Sequence, residues 1–186
     1  MKIQGRLQYL LSLTIHAYIM TNTDREMQLM HSSTQIEFRR ENLDSPVVQA
    51  LIAALNAELL SIYPEDGANF FRLDPEEVAI GRGAFLVAYL GDEPVGCGAI
   101  RLNEPTLAEI KRMYVDPRVR GRRVGRRIVE ALAIQARQLG AKRIVLETGP
   151  RQPDAIAMYL HAGFHQIPLY GEYIGSLFSV CMAKDL

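Results

Sequence analysis

An α/β domain built on a mixed sheet is what the sequence predicts, and three observations predict it. The strand-like runs 83–90, 95–102 and 107–115 follow one another across short turns, as an antiparallel meander does. A strongly periodic helix comes next, with Val124, Ile128, Leu132 and Leu139 at helical spacing and Ala131, Ala133 and Ala136 favouring helix. The buried-type strand 143–147 (RIVLE) follows it, so strand, helix and strand imply a right-handed parallel crossover from 107–115. The expected sheet has six to seven strands, mostly antiparallel around that parallel crossover, with helices on both faces.

Residues 1–33 read as an N-terminal extension ahead of a domain spanning 34–186. Lys2 and Arg6 precede the apolar run 9–20, a superficial signal-peptide pattern. His16 interrupts that run and no small-x-small cleavage site follows, so a cytoplasmic chain is expected. Met20, Met27 and Met30 leave two readings open, a later translation start or a docking helix. Residues 35–39 (QIEFR) alternate as a first strand. Ser45-Pro46 supplies an N-cap and a proline at the first helical position. Val47, Val48, Leu51, Ile52, Leu55 and Leu59 then form the apolar stripe of a helix ending near Tyr63-Pro64. Residues 66–72 are loop, and 74–77 (DPEE) open at most a short helix.

The stretch 91–94 (GDEP) is a hairpin turn between the first two meander strands. Asp116-Pro117 ends the third, because proline has no N–H for a ladder. Gly140 caps the long helix, Pro153 and Asp154 open another over 155–161 that Gly163 stops, and 164–168 and 177–182 are the last strands.

A chain of 186 residues is long enough to bury a real core. Its net charge of zero argues against a dedicated nucleic-acid binder, which is usually basic over a whole face. Cys97 and Cys181 lie in apolar, strand-like runs and read as buried free thiols. No stretch supplies the roughly 20 apolar residues of a membrane span, and no spacing of His, Cys and acids suggests a metal site.

Against that neutral background, 120–125 (RGRRVG) joins the third meander strand to the long helix. First-turn N–H groups are free and the helix dipole is positive there, so the turn suits an anion. Gly121 and Gly125 let a ligand approach the backbone, and Arg118, Arg120, Arg122, Arg123, Arg126 and Arg127 supply charge. Alone, the stretch reads equally well as a solvated basic helix start. A kinase-type phosphate loop does not fit, since its glycine–lysine–serine/threonine ending is absent.

From about Gln35 to Lys184 the chain resembles the GNAT superfamily of acyl-CoA-dependent N-acyltransferases. Arg120, Gly121, Arg122, Arg123, Val124 and Gly125 match the family's signature for the coenzyme A pyrophosphate, with Arg123 standing where the family has glycine. Residues 95–98 (VGCG) match the family's third strand, and 155–164 (AIAMYLHAGF) match its segment of tyrosine, three residues, glycine and phenylalanine. The resemblance implies acetyl-CoA as cosubstrate and no metal. It implies pyrophosphate binding by the N–H groups from Arg122 through Arg126. Met113 and Val115 would be the strand edge that pairs with the pantetheine arm, a Met113 or Tyr114 N–H would polarise the carbonyl, and Gln152 would stand for the family's usual asparagine.

By the same resemblance Tyr159 is the general acid, and Glu109 is a possible base acting through water. Tyr159 also reads as a core side chain beside Ile156 and Leu160, Glu109 as an ordinary strand carboxylate, and Glu147 as a weaker alternative base. Tyr63, Phe71, Arg72, Arg112 and Tyr173 would border the acceptor. Acidic residues near these tyrosines suit a cationic amine and the arginines a carboxylate, so a small-molecule amine (an amino acid, a polyamine or an antibiotic) and a protein amine (a terminus or a lysine) both fit. Direct attack of a bound amine is expected, because Cys97 lies on the wrong strand for a ping-pong route. A non-catalytic acyl-CoA sensor is the alternative within the fold. A monomer or homodimer is expected, with no nucleic-acid or membrane partner.

Overall fold

A computed structural model of the protein describes residues 35–65 and 72–186. The readings of 1–33, Phe70 and Phe71 lie outside the described residues. Strand β1 (Ile36–Arg40) leads into helix α1 (Pro46–Ile62), where the Ser45 side chain accepts from the Val48 N–H and Pro46 opens the helix. The meander is β2 (Gly83–Leu90), β3 (Glu93–Glu104) and β4 (Leu107–Val115). Helix α2 (Val124–Gln138) crosses over to β5 (Arg143–Thr148), then α3 (Pro153–His161) leads to β6 (His165–Ile167) and β7 (Val180–Asp185).

One seven-stranded sheet results, in the order β1-β2-β3-β4-β5-β7-β6, with β4 and β5 parallel and the β2–β3, β3–β4, β5–β7 and β6–β7 pairs antiparallel. Helix α2 stops where Gly140 turns left-handed at φ 86 and the Ala141 N–H reaches the Ala136 carbonyl at 3.0 Å. The last strand begins at Val180 rather than at 177. The Ser176 hydroxyl accepts from the Phe178 N–H and from the Ser179 hydroxyl, a local turn that competes with the ladder.

Strand β3 shows how both faces of the sheet are covered. Cys97 and Ala99 belong to a core with Val48 and Leu51 of α1 and Phe85 and Val87 of β2. Gly96 and Gly98, pointing the other way, leave room for α2: a Cβ on Gly98 would stand 2.8 Å from Leu132 and 3.0 Å from Ile128. Helices therefore lie on both faces, with α2 pressed close to the sheet.

Strand β4 carries an irregularity close to the point where it leaves β5. Cys97 faces Tyr114 and Ala99 faces Lys111, so Arg112 and Met113 together oppose Gly98. Such a bulge bends its strand. Arg112 sits at φ 57, a left-handed conformation that costs a non-glycine residue on the order of 1 kcal/mol. The Cys97 thiol donates to the Arg112 carbonyl at 3.5 Å. Pairing between β4 and β5 ends at Ile110 and Leu146, although β4 runs on to Val115 and β5 to Thr148. The two central strands part beyond that point.

Candidate active site

The parted strands open into a cleft of about 980 Å³. Its walls are the end of α1, the outer half of β4, the first turn of α2, the end of β5 and the start of α3. Among the described residues no group of histidine, cysteine and acidic side chains is placed to hold a metal ion, and no helix is long and apolar enough to cross a membrane.

At one end of the cleft lies the arginine-rich turn. Asp116 ends β4 by accepting from the Arg118 N–H at 2.9 Å, and Gly121 takes φ 79. Arg123 is the N-cap of α2 at φ 62, with no side-chain cap, and the first bond back into the helix is the Arg127 N–H to the Arg123 carbonyl at 3.1 Å. The N–H groups of Val124, Gly125 and Arg126 therefore face outward with the positive end of the helix dipole behind them.

Most of the neighbouring arginines are engaged elsewhere. Arg118 pairs with Asp116 at 2.6 Å and Glu93 at 2.8 Å, and Arg126 pairs with Glu130 at 2.9 Å. Arg120 donates to the Val115 carbonyl at 2.9 Å and to Glu58 at 2.6 Å, which ties the turn to α1. Arg122 is exposed and does not line the cleft. Arg123 is exposed, lines the cleft and forms no ion pair among the described residues. Gly125 also lines it. A Cβ there would meet nothing closer than Val115 at 3.5 Å, so packing within the protein does not demand a glycine.

Met113, Tyr114 and Val115 form the β4 wall, and Tyr159 faces it from α3. The Tyr159 ring is 4% exposed and packs edge-on against Phe164 at 5.8 Å. Its hydroxyl bonds no described residue, and burial pushes its pKa above the usual tyrosine range. Gln152 caps the β5–α3 connection: its side-chain oxygen accepts from the Gly149 N–H at 3.1 Å and the Thr148 hydroxyl at 3.5 Å. Its amide nitrogen remains for the cleft. Tyr63 lies across Gly149, where a Cβ would stand 2.0 Å from the tyrosine oxygen, and its hydroxyl accepts from the Arg151 N–H at 2.7 Å. Arg151 closes that side by pairing with Glu65 at 2.6 Å.

The carboxylates fall differently from the sequence reading. Glu109 does not line the cleft; it borders a separate cavity of about 370 Å³ and is 1% exposed. One of its oxygens accepts from Arg101 at 2.6 and 2.8 Å and from Asn103 at 3.1 Å. The other accepts from the hydroxyls of Tyr170 at 2.9 Å and Tyr173 at 3.0 Å. A carboxylate so occupied answers the charge of Arg101 and faces the smaller cavity, away from the cleft.

Glu147 does line the cleft. Burial raises its pKa, with the Ser179 hydroxyl and Lys111 pulling the other way. Its one sequence signal was a lone acid at the carboxyl end of a buried strand. The bulge at Arg112 left no such trace, because nothing marks an arginine for a left-handed backbone.

The acceptor candidates divide. Arg72 borders the smaller cavity and pairs with Asp74 at 2.8 Å, and Tyr173 lines both cavities. Arg112 lines the cleft, is 7% exposed and donates to Asn56 at 3.4 Å; burial lowers its pKa. Phe71 lies outside the described residues.

Comparison with known proteins bears on this geometry. The family model described as "Acetyltransferase (GNAT) family" matches residues 49–164. An IAA acetyltransferase of Azospirillum brasilense is 38% identical over 149 residues, covering 80% of this chain and 95% of that protein. The crystal structure of a proposed acyl-CoA N-acyltransferase from Klebsiella pneumoniae superposes with a TM-score of 0.68 at 33% identity, covering 82% of this chain and 98% of that one. A GNAT family acetyltransferase from Elizabethkingia anophelis, solved with acetyl-CoA bound, shares the fold at 16% identity and a TM-score of 0.58, covering 81% of this chain and 98% of its own.

Proposed function

The chain belongs to the GNAT acetyltransferase family, and from that premise we propose that it moves an acetyl group from acetyl-CoA to a primary amine by direct attack in a ternary complex. The observation that carries this reading is the single cleft running from the uncapped start of α2, past the parted strands, to Tyr159 and Glu147.

The residues present fit the coenzyme. The N–H groups of Val124, Gly125 and Arg126 suit its pyrophosphate, with Arg120 and Gly121 shaping the turn. The Arg123 guanidinium, exposed on the cleft wall, would supply a cation to a coenzyme phosphate, so that the arginine standing for a glycine would act as a clamp. Beyond Ile110, β4 offers Met113 and Val115 as an open strand edge for the peptide-like arm, and the Gln152 amide nitrogen serves it from the other side.

In the transfer, the amine nitrogen bonds to the acetyl carbon as the carbon–sulfur bond breaks. Glu147, its pKa raised toward the working range, takes the amine proton. Tyr159, kept protonated by its burial, gives a proton to the departing thiolate. A backbone N–H at Met113 or Tyr114 stabilises the carbonyl oxygen as its charge grows. Glu109 holds Tyr173 and Arg101 in place behind this machinery. A covalent route through Cys97 is disfavoured, since burial pushes that thiol up to about 12 and leaves it un-ionised at neutral pH.

Calorimetry with acetyl-CoA, followed by a thiol-release assay over a panel of primary amines, tests the proposal. Saturable binding and amine-dependent release of coenzyme A are expected. Binding without release from any amine would leave a sensor in place of an enzyme, and no binding at millimolar acetyl-CoA would remove both.

A further inference from the structure

We propose that Lys111 is a positioning residue for the transfer: moored by Glu172, its ammonium lies beside Glu147 at the strand gap and keeps that acid charged. This rests on the base role given to Glu147 above. The last β4–β5 pair is Ile110 with Leu146, so Lys111 and Glu147 are the first residues beyond it on the two strands. Equivalent positions of parallel neighbours project to one face of a sheet, and both residues line the cleft. The Lys111 ammonium bonds Glu172 at 2.8 Å and lies 5.6 Å from the centre of the Tyr173 ring. The lysine side chain is 5% exposed, whereas that of Glu172 is 42% exposed. Water screens an exposed charge far more than a buried one. Lys111 therefore acts on Glu147 more strongly than the acid that moors it, although the ion pair is neutral as a whole.

Glu147 has need of such a cation. Burial penalises its charged form, and Glu109 and Glu172 bring like charges near it. The Ser179 hydroxyl and Lys111 work the other way. Tyr63 of α1, Tyr159 of α3, Tyr173 of the β6–β7 connection and Cys181, its partner on β7, also surround it. Burial pushes all four above their ordinary range, so they are uncharged at neutral pH. Arg112, the other β4 cation lining the cleft, reaches Asn56 of α1 at 3.4 Å. Lys111 thus supplies the positive charge felt at Glu147. A base has to be ionised when the amine arrives. Without the lysine, burial and two carboxylates would hold a proton on Glu147 to higher pH.

The test titrates Glu147 directly, through its side-chain carboxyl carbon in NMR spectra of the glutamate-labelled full chain, with Glu147→Gln supplying the assignment. Lys111→Met should raise the midpoint by about one pH unit. Glu172→Gln should lower it, because a like charge is removed and the lysine is no longer answered. Damage to packing does not produce opposite shifts from the two members of one ion pair. The rising limb of kcat/KM should move with each midpoint, and the rate of Lys111→Met should recover at high pH. Where Lys111→Met does not fold, Lys111→Gln, whose amide still donates to Glu172, takes its place with the same upward shift expected.

An unmoved midpoint in the lysine variant overturns the proposal, and so does a rate lost equally at every pH. A midpoint raised by Glu172→Gln overturns the mooring role. The carbon titration needs no acetyl-CoA. If no amine is turned over, the acetyl transfer fails, and the titration still decides whether Lys111 governs Glu147.

Discussion

Glu109 and Glu147 are both acids on central strands, and their surroundings separate them. Glu109 sits inside a paired stretch opposite Arg101, where the register aims it into a cage of donors. Glu147 sits beyond the last β4–β5 pair, where the gap begins. Replacing Glu109 by Gln should cost about 2 kcal/mol of stability in a denaturant titration, because Arg101, Asn103, Tyr170 and Tyr173 lose a charged acceptor while Glu77 still answers the charge of Arg101. Glu147→Gln should do the reverse. Its folded pKa lies above the ordinary 4.5, so below that pH it is protonated in both states and costs nothing. As pH rises from there through the raised value, the unfolded chain gives up its proton first and stability falls. The glutamine variant should melt higher than the parent at pH 7 and alike near pH 4, while the rising limb of its pH–rate profile disappears. Tyr159→Phe should lower kcat about a hundredfold with acetyl-CoA affinity nearly unchanged, read by steady-state kinetics and calorimetry. The place of Tyr159 on the helix that walls the cleft was legible because its spacing to Gly163 and Phe164 is linear in the sequence. The relative standing of the two glutamates depends on strand register, which a linear pattern does not carry.

At the level of elements, the turn into α2 combines two departures from helix-start chemistry. A non-glycine residue takes the left-handed N-cap, and a glycine occupies the first turn where packing would accept a larger residue. Arg123→Gly should raise stability by about 1 kcal/mol, since glycine adopts φ 62 without penalty. It should also weaken acetyl-CoA binding severalfold by removing the rim cation. Gly125→Ala should fold at least as stably as the parent, gaining up to about 1 kcal/mol of helix preference. Its coenzyme binding should fall by tenfold or more, because the methyl group enters the space the phosphates need. Denaturant titrations paired with calorimetry read both variants. The anion-binding character proposed for this turn was read from its arginines, its glycines and its place after a strand. Which arginines face the cleft was not, because Arg118, Arg120 and Arg126 are withdrawn by acids up to 62 positions away in the chain.

For the molecule as a whole, the proposed ligand is also a structural member. It would occupy a space where two central strands lack each other's hydrogen bonds, so its binding energy adds directly to folding stability. At a concentration a hundredfold above Kd, acetyl-CoA should raise unfolding free energy by about 2.7 kcal/mol, seen as an upward shift of several degrees in the melting temperature. The order of strands and helices was legible, since the meander, the crossover and the caps at Ser45 and Gly140 are local signals with local causes. The place where the sheet comes apart was not, because strand pairing and its end are set by contacts between segments far apart in the chain.

The β4 bulge at Arg112 and Met113 has a consequence for how the chain tolerates change. Exchanging side chains around the cleft alters what it binds and how well, yet leaves the opening itself in being. Losing a single residue from this stretch of β4 would restore even counting against β3 and shift every β4 residue beyond it by one position, to the other face of the sheet. The side chains that line the cleft from β4 would then point away from it. A one-codon deletion in this strand should therefore be a deeper lesion than many substitutions.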